Sequence, residues 1–229
     1  MLIKGLQKTT LLDFPGKVAC TVFTGGCNFR CPFCHNASLV LDPNSVENID
    51  EEAFFAYINK RKGILDGVCI TGGEPLMHKD IIPFIKRIKD IGLLVKLDTN
   101  GSYFYPLKEL IDMSLIDYVA MDIKNAYNKY ALTIGIDKIP EEIQKSIDYI
   151  MKSGIQYEFR TTIVKELHDP EDIEALAKSI AGADRYFLQK FTDSGDLIET
   201  GFSAYDDKEM EQLFEIVKKW IPNASLRGV

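Results

Sequence analysis

The sequence predicts an α/β protein, a partial (open) parallel β/α barrel of about six strands, on three observations. Short apolar or β-branched runs recur along the chain, and segments with helical spacing separate them. No internal repeat, low-complexity tract or long linker interrupts the alternation. Strands that alternate with helices imply βαβ units with right-handed crossovers and a mostly parallel sheet. The chain has 229 residues. Barrels of this size commonly fold as one unit, so a single domain over residues 1–229 is expected.

The first predicted strand is Val18 to Phe23, and Gly67 to Ile70, Leu93 to Asp98, Tyr118 to Asp122, Tyr157 to Val164 and Arg185 to Gln189 repeat its character. Among the helices, Ile81, Ile82, Phe84, Ile85, Ile88 and Ile91 keep one apolar face, with Asp80 expected as N-cap and Gly92 as terminator. Asp169 and Pro170 open a second helix, with Ile173, Leu176, Ala177 and Ile180 facing the core and Gly182 closing it. Asp206 with Glu209 forms a capping-box pattern before a third, whose Met210, Leu213, Phe214, Val217 and Trp220 are expected in the core. Leu41 to Asp50 is expected to be the longest loop.

The composition, 46% hydrophobic and 27% charged, is that of an ordinary folded protein. A net charge of -7 argues against nucleic acid as a partner. No apolar run is long enough to span a bilayer, so no membrane segment is predicted. The first residues lack the basic, apolar and small-residue succession of a secretory leader, so no processed segment is expected. Three of the five cysteines lie within eight positions, which suits a disulfide framework poorly. A reducing, cytoplasmic setting is expected.

The run TGGCNFRCPFCHN follows the first predicted strand, placing Cys27, Cys31 and Cys34 on a loop at the strand edge where α/β sheets hold ligands. Their C-x3-C-x2-C spacing lets three thiolates converge on one polynuclear centre. In a cubane of four irons, three thiolates leave one iron open to a small molecule that carries an amine and a carboxylate. The alternative is a zinc site of these cysteines with His35. Adjacent residues have difficulty ligating one metal, and His35 directly follows Cys34. Cys20 and Cys69, each inside a predicted strand, are read as small core hydrophobes. His78 and His168 have no partner pattern and are read as surface or loop residues.

The three-cysteine run, with Phe33 before the third cysteine, resembles the signature of the radical S-adenosylmethionine superfamily. Gly72, Gly73 and Glu74, followed by Pro75, look like that family's GGE motif, which binds the amino group of the cofactor largely through the backbone. The resemblance implies one 4Fe-4S cluster, S-adenosyl-L-methionine, and Phe33 and His35 beside the cofactor.

The longer stretch FPGKVACTVFTGGCNFRCPFCHN, LDTNG at Leu97 to Gly101, MDIK at Met121 to Lys124 and FRTTIV at Phe159 to Val164 resemble the activating enzymes of glycyl radical enzymes. That likeness implies a monovalent cation held by Asp98, Thr99 and Asp122, and a cofactor carboxylate met by Lys124. The alternative for each aspartate is a turn or cap role, and for Lys124 a solvated surface position. Arg160 lies in an apolar strand, so it is expected to meet an anion, either the cofactor or an acidic neighbour. Gln189 stands where a relative places a cofactor-contacting histidine. The implied partners are a glycyl radical enzyme, anaerobic ribonucleoside-triphosphate reductase first among them, and a low-potential electron donor such as flavodoxin or ferredoxin. An activase of another glycyl radical enzyme, such as pyruvate formate-lyase, and a radical enzyme acting on a small molecule are the alternatives.

Overall fold

The computed structural model describes residues 1–229. Eight strands form one sheet in chain order: β1 (Ile3–Thr10), β2 (Ala19–Thr24), β3 (Gly67–Gly72), β4 (Leu94–Thr99), β5 (Tyr118–Asp122), β6 (Gln156–Ile163), β7 (Tyr186–Lys190) and β8 (Ala224–Arg227). β1 pairs antiparallel with β2, and every later pair is parallel. β8 and β1 do not pair, so the barrel is open along that side. The helices are α1 (Ala37–Leu41), α2 (Glu51–Lys60), α3 (Ile81–Ile91), α4 (Phe104–Asp112), α5 (Tyr127–Ile134), α6 (Glu142–Ser153), α7 (Pro170–Ser179) and α8 (Asp207–Lys218).

β2 to β7 are the six strands expected from sequence, each within two residues at its ends. β1 and β8 are additions. β1 is an edge strand whose Gln7, Lys8 and Thr9 face solvent, which hides the alternation that marks a strand. β8 has four residues and only one of them is buried, too little for a pattern.

Gly92 closes α3 at a positive φ, as expected. Asp80 stands at its N-cap but its side chain makes no cap; it pairs with the Met1 amino group at 2.5 Å. Asp169 and Asp206 both cap through complete capping boxes. α7 stops at Ser179, three residues before Gly182. In α8, Met210, Leu213 and Val217 are buried, while Trp220 is partly exposed under the Lys178 ammonium. A short 3-10 turn at Pro43–Ser45 and a bridge between Ile3 and Ile49 order part of the loop expected over Leu41 to Asp50. The longer irregular connection runs between β7 and α8.

The main hydrophobic core runs from Ile3 on β1 to Ala224 on β8, filling the space between helices and sheet. The inward side of the sheet is polar. Lys96 and Glu158 are buried, and Tyr118 donates to Glu158 at 3.0 Å. Arg227 donates twice to the same carboxylate, at 3.0 and 2.9 Å. Cys20 belongs to the core as expected. Cys69 does not: its Sγ lies 3.8 Å from both Lys96 Nζ and Asp98 Oδ1, facing this polar interior.

Candidate active site

At the C-terminal ends of the strands one cavity of about 260 Å³ collects the chemistry-bearing side chains. Cys27, Cys31 and Cys34 line it from the loop after β2, Gly72 to Glu74 from the end of β3, and Asp98 and Thr99 from β4. Asp122 and Lys124 enter from the end of β5, Arg160 from β6 and Gln189 from β7. Phe33 and His35 line it as well. All the sequence-predicted site residues therefore meet in one place.

Burial pushes the thiols of Cys27 and Cys31 up, to about 11 and about 12, while Lys124 pulls both back toward the thiolate. Without a metal both are neutral at ordinary pH. No three His, Cys, Asp or Glu side chains are arranged to hold a single metal ion. Three thiols that share one cavity without forming a cage for one ion fit a centre of several metal atoms better than the zinc alternative. His35 is exposed, with its ring 5.7 Å from that of Phe191.

Gly73 must be glycine here. A Cβ on it would lie 1.8 Å from the Gly26 carbonyl oxygen. Its backbone and that of Glu74 are stitched to the cluster loop: Gly73 N donates to the Thr24 carbonyl and Glu74 N to the Gly26 carbonyl, each at 2.8 Å. Asn36 adds a third tie, donating to the Gly72 carbonyl at 3.0 Å.

Glu74 is buried and meets no cation. Its carboxylate accepts from Leu76 N at 3.1 Å, Thr99 Oγ1 at 2.8 Å and Asn100 N at 2.7 Å. Burial lifts its carboxyl to about 7 although these three donors pull it down. Its carboxylate therefore orients the loop and pairs with no positive group of the chain.

Asp98 and Asp122 are joined through Arg160, whose Nε donates to Asp122 at 2.9 Å and Nη1 to Asp98 at 3.1 Å. Lys96 completes the first carboxylate and Lys124 the second, the latter at 2.9 Å. Burial would raise both aspartates, but these cations hold them below the usual carboxylate range. Arg160 thus meets acidic neighbours, one of the two anions expected for it. The Thr99 hydroxyl is spent on Glu74 and accepts from Gly101 N at 3.1 Å.

Besides Asn36 and Lys96, sequence reasoning missed Asn100 and His168. Asn100 donates to Asn28 at 2.9 Å and approaches Cys27 Sγ at 3.9 Å. The LDTNG motif containing it signals a turn and nothing of this contact. His168, read from sequence as a surface or loop residue, is buried, and its Nε2 lies 2.8 Å from the Lys124 carbonyl. No spacing in the chain announces that pairing. His78 is half-buried against the Gly25 carbonyl at 3.0 Å, behind the cluster loop.

A family model described as the radical SAM superfamily matches residues 21–180. A protein of Methanocaldococcus jannaschii that carries the name of a glycyl-radical enzyme activating enzyme is 34% identical over 239 aligned positions, covering all of this chain and 96% of the relative. A GTP 3′,8-cyclase of Nautilia profundicola is 29% identical over 159 positions, 67% of this chain and 49% of that one. Among solved structures, a domain of pyruvate-formate lyase-activating enzyme from Bacteroides vulgatus superposes with a TM-score of 0.59 at 19% identity, over 71% of this chain and 99% of that one. The open α/β barrel is therefore the fold those proteins share. With the cavity, its three thiols and the full-length relative together, the chain belongs to the radical S-adenosylmethionine superfamily, among the glycyl-radical enzyme activating enzymes, which work with a 4Fe-4S cluster and S-adenosylmethionine.

Proposed function

We propose that this enzyme installs a glycyl radical on a partner protein, and that the partner is anaerobic ribonucleoside-triphosphate reductase. The observation that carries the reading is the single cavity in which three thiols face the GGE backbone and the Asp, Lys and Arg set. When bound, the cluster supplies the electron that splits the sulfonium of S-adenosylmethionine, and the resulting 5′-deoxyadenosyl radical takes a hydrogen atom from a glycine of the partner.

Cys27, Cys31 and Cys34 would hold the cluster as thiolates, releasing their protons on metal binding. Gly72 and Gly73 bring backbone polar groups to the cofactor, and Glu74 fixes that turn against β4 without entering the chemistry. Lys124 and Arg160 are the cations that line the cavity, beside Glu74, Asp98 and Asp122. Arg160 is held by both aspartates and lies 3.9 Å from Glu158, whereas Lys124 bonds Asp122 alone, so Lys124 as a point charge is the group we assign to a bound carboxylate. Arg160 bridges the two aspartates, so we give it the neutralising role that the resemblance assigned to a monovalent cation at Asp98, Asp122 and Thr99. Phe33, His35 and Gln189 would complete the wall around the cofactor. A low-potential donor such as flavodoxin or ferredoxin would deliver the electron.

The test mixes the reduced protein, S-adenosylmethionine and the reductase without oxygen. The expected products are 5′-deoxyadenosine, methionine and a protein radical split by a glycine α-hydrogen. Deuterium placed on that glycine should move into 5′-deoxyadenosine. Cofactor cleavage with no radical on any glycyl radical enzyme, together with turnover of a small metabolite, would replace this reading with the chemistry suggested by the cyclase relative.

A further inference from the structure

We propose that Tyr130 on α5 donates its phenolic O–H to the metal centre on the Cys31 side and so sets how readily that centre accepts an electron; this rests on the cluster assignment above. Tyr130 Oη is the one buried side-chain oxygen or nitrogen without a partner at hydrogen-bond geometry, and the residue is 4% exposed. The Lys124 backbone amide approaches it and can only donate, so the phenolic O–H is left without an acceptor. Native interiors leave few such groups unpaired, because burying one destabilises the fold. A donor left over in the bare protein therefore calls for a partner supplied from outside the chain.

The backbone shows on which side that partner lies. One turn beyond Tyr130, the Ile134 carbonyl accepts from Arg30 N at 2.8 Å. Gly135 follows, so close to the Arg30 carbonyl that a Cβ there would sit 2.2 Å from its oxygen. Arg30 immediately precedes Cys31 in the chain. Residues 130 and 134 share one face of the helix, so Tyr130 is on the face that meets the cluster loop. Tyr130 and Cys31 are also buried in the same packed cluster.

The ring borders a second cavity of about 100 Å³, with Asn125 and Gln144 on its wall, and a water there is the competing partner. Burial holds the phenol well above its ordinary value, so it keeps its proton at any working pH. The groups that act on its hydroxyl are Lys124, through both its backbone and its ammonium, Cys31 and Asp122, all on the site side.

A hydrogen bond to a thiolate or sulfide stabilises the electron-rich state and raises the reduction potential. No proton is transferred, and the phenol acts as a positioned dipole. Anaerobically reconstituted Tyr130→Phe should keep about four iron and four sulfide per chain. At the wild-type midpoint, its reduced-to-oxidised ratio should fall by about three- to tenfold, tenfold being 59 mV for one electron. The paramagnetic signal of the reduced cluster, followed through a redox titration, reads this directly. Placing 3-fluorotyrosine at position 130, a stronger donor of nearly the same shape, should move the ratio the opposite way, and it stands in if the Phe variant does not fold. Full clusters with unchanged ratios in both variants would give the hydroxyl to the cavity water and overturn the inference. Wild-type protein that binds neither iron nor sulfide would overturn the cluster assignment instead.

Discussion

Glu74 and the Asp98–Asp122 pair lie at the same rim of the barrel, the first fully buried and the others partly so, and are treated in opposite ways. Glu74 receives three hydrogen bonds and no cation, and burial lifts its carboxyl to about 7. The aspartates receive three cations, which hold them ionised well below the ordinary range. Neutral donors orient a buried carboxylate without fully offsetting its desolvation, whereas paired cations overcome it. The first carboxylate holds two loops in register, and the others keep charge at the cavity wall.

The strongest way to break the contrast is Arg160→Met, which leaves two buried carboxylates short of their shared cation. Loss of one partner from a buried ion pair costs about 3–5 kcal/mol, so the midpoint in a urea titration should fall steeply. A variant within 1 kcal/mol of wild type, by the same principle, would mean that Lys96 and Lys124 suffice.

The next effect is a pH dependence of opposite sign at the two places. Glu74 has a folded value of about 7 against an ordinary 4.5, so the folded state binds the extra proton between those values. Stability from this group is complete below about 4.5 and declines as pH rises toward 7, by about 3 kcal/mol at the limit. The lowered aspartates do the reverse, adding stability above pH 4 that is lost as pH falls. His35, His78 and His168 are all lowered by burial, and their contribution grows as pH rises through the same window. The difference between wild type and Glu74→Gln cancels the histidines. It should narrow from pH 7 to pH 5 if its baseline favours the amide, and in any case must shift in favour of wild type as pH falls.

Lys124→Met touches only the charged side of the comparison. It should weaken S-adenosylmethionine binding by about 1–3 kcal/mol, measured by calorimetry on reconstituted protein, with iron content unchanged. The smallest effect belongs to Thr99→Val, which removes one of the three donors to Glu74. A cost of about 1 kcal/mol is expected, together with a further rise of the Glu74 carboxyl seen in a shifted pH–stability curve.

The parts of the molecule legible in the sequence are those where one short segment carries the whole signal. The parallel strands are short runs with a strongly apolar helix-facing side, and the three cysteines and two glycines stand at spacings that few other arrangements need. Edge strand β1 and four-residue β8 have no such local signature. Arg160 was expected to meet an anion because a charge in an apolar strand demands one, but which anion depends on the register that sets Asp122 opposite it in β5 and β6. The inward setting of Cys69 arises in the same way, from parallel pairing with Lys96 on β4. His168 and Asn100 act through backbone atoms and neighbouring amides brought close only by the folded chain, so their residue type alone says nothing.

The contact between Gly73 and Gly26 also has a dynamic consequence. With the Gly73 and Glu74 amides bonded into the cluster loop and no room for a side chain between the two backbones, neither loop opens without the other. Their amide protons should therefore exchange with solvent as one cooperative unit. Whatever slows exchange at Gly26 by filling the cavity beside the three thiols slows it equally at Gly73, so a group bound against one loop tightens the other as well.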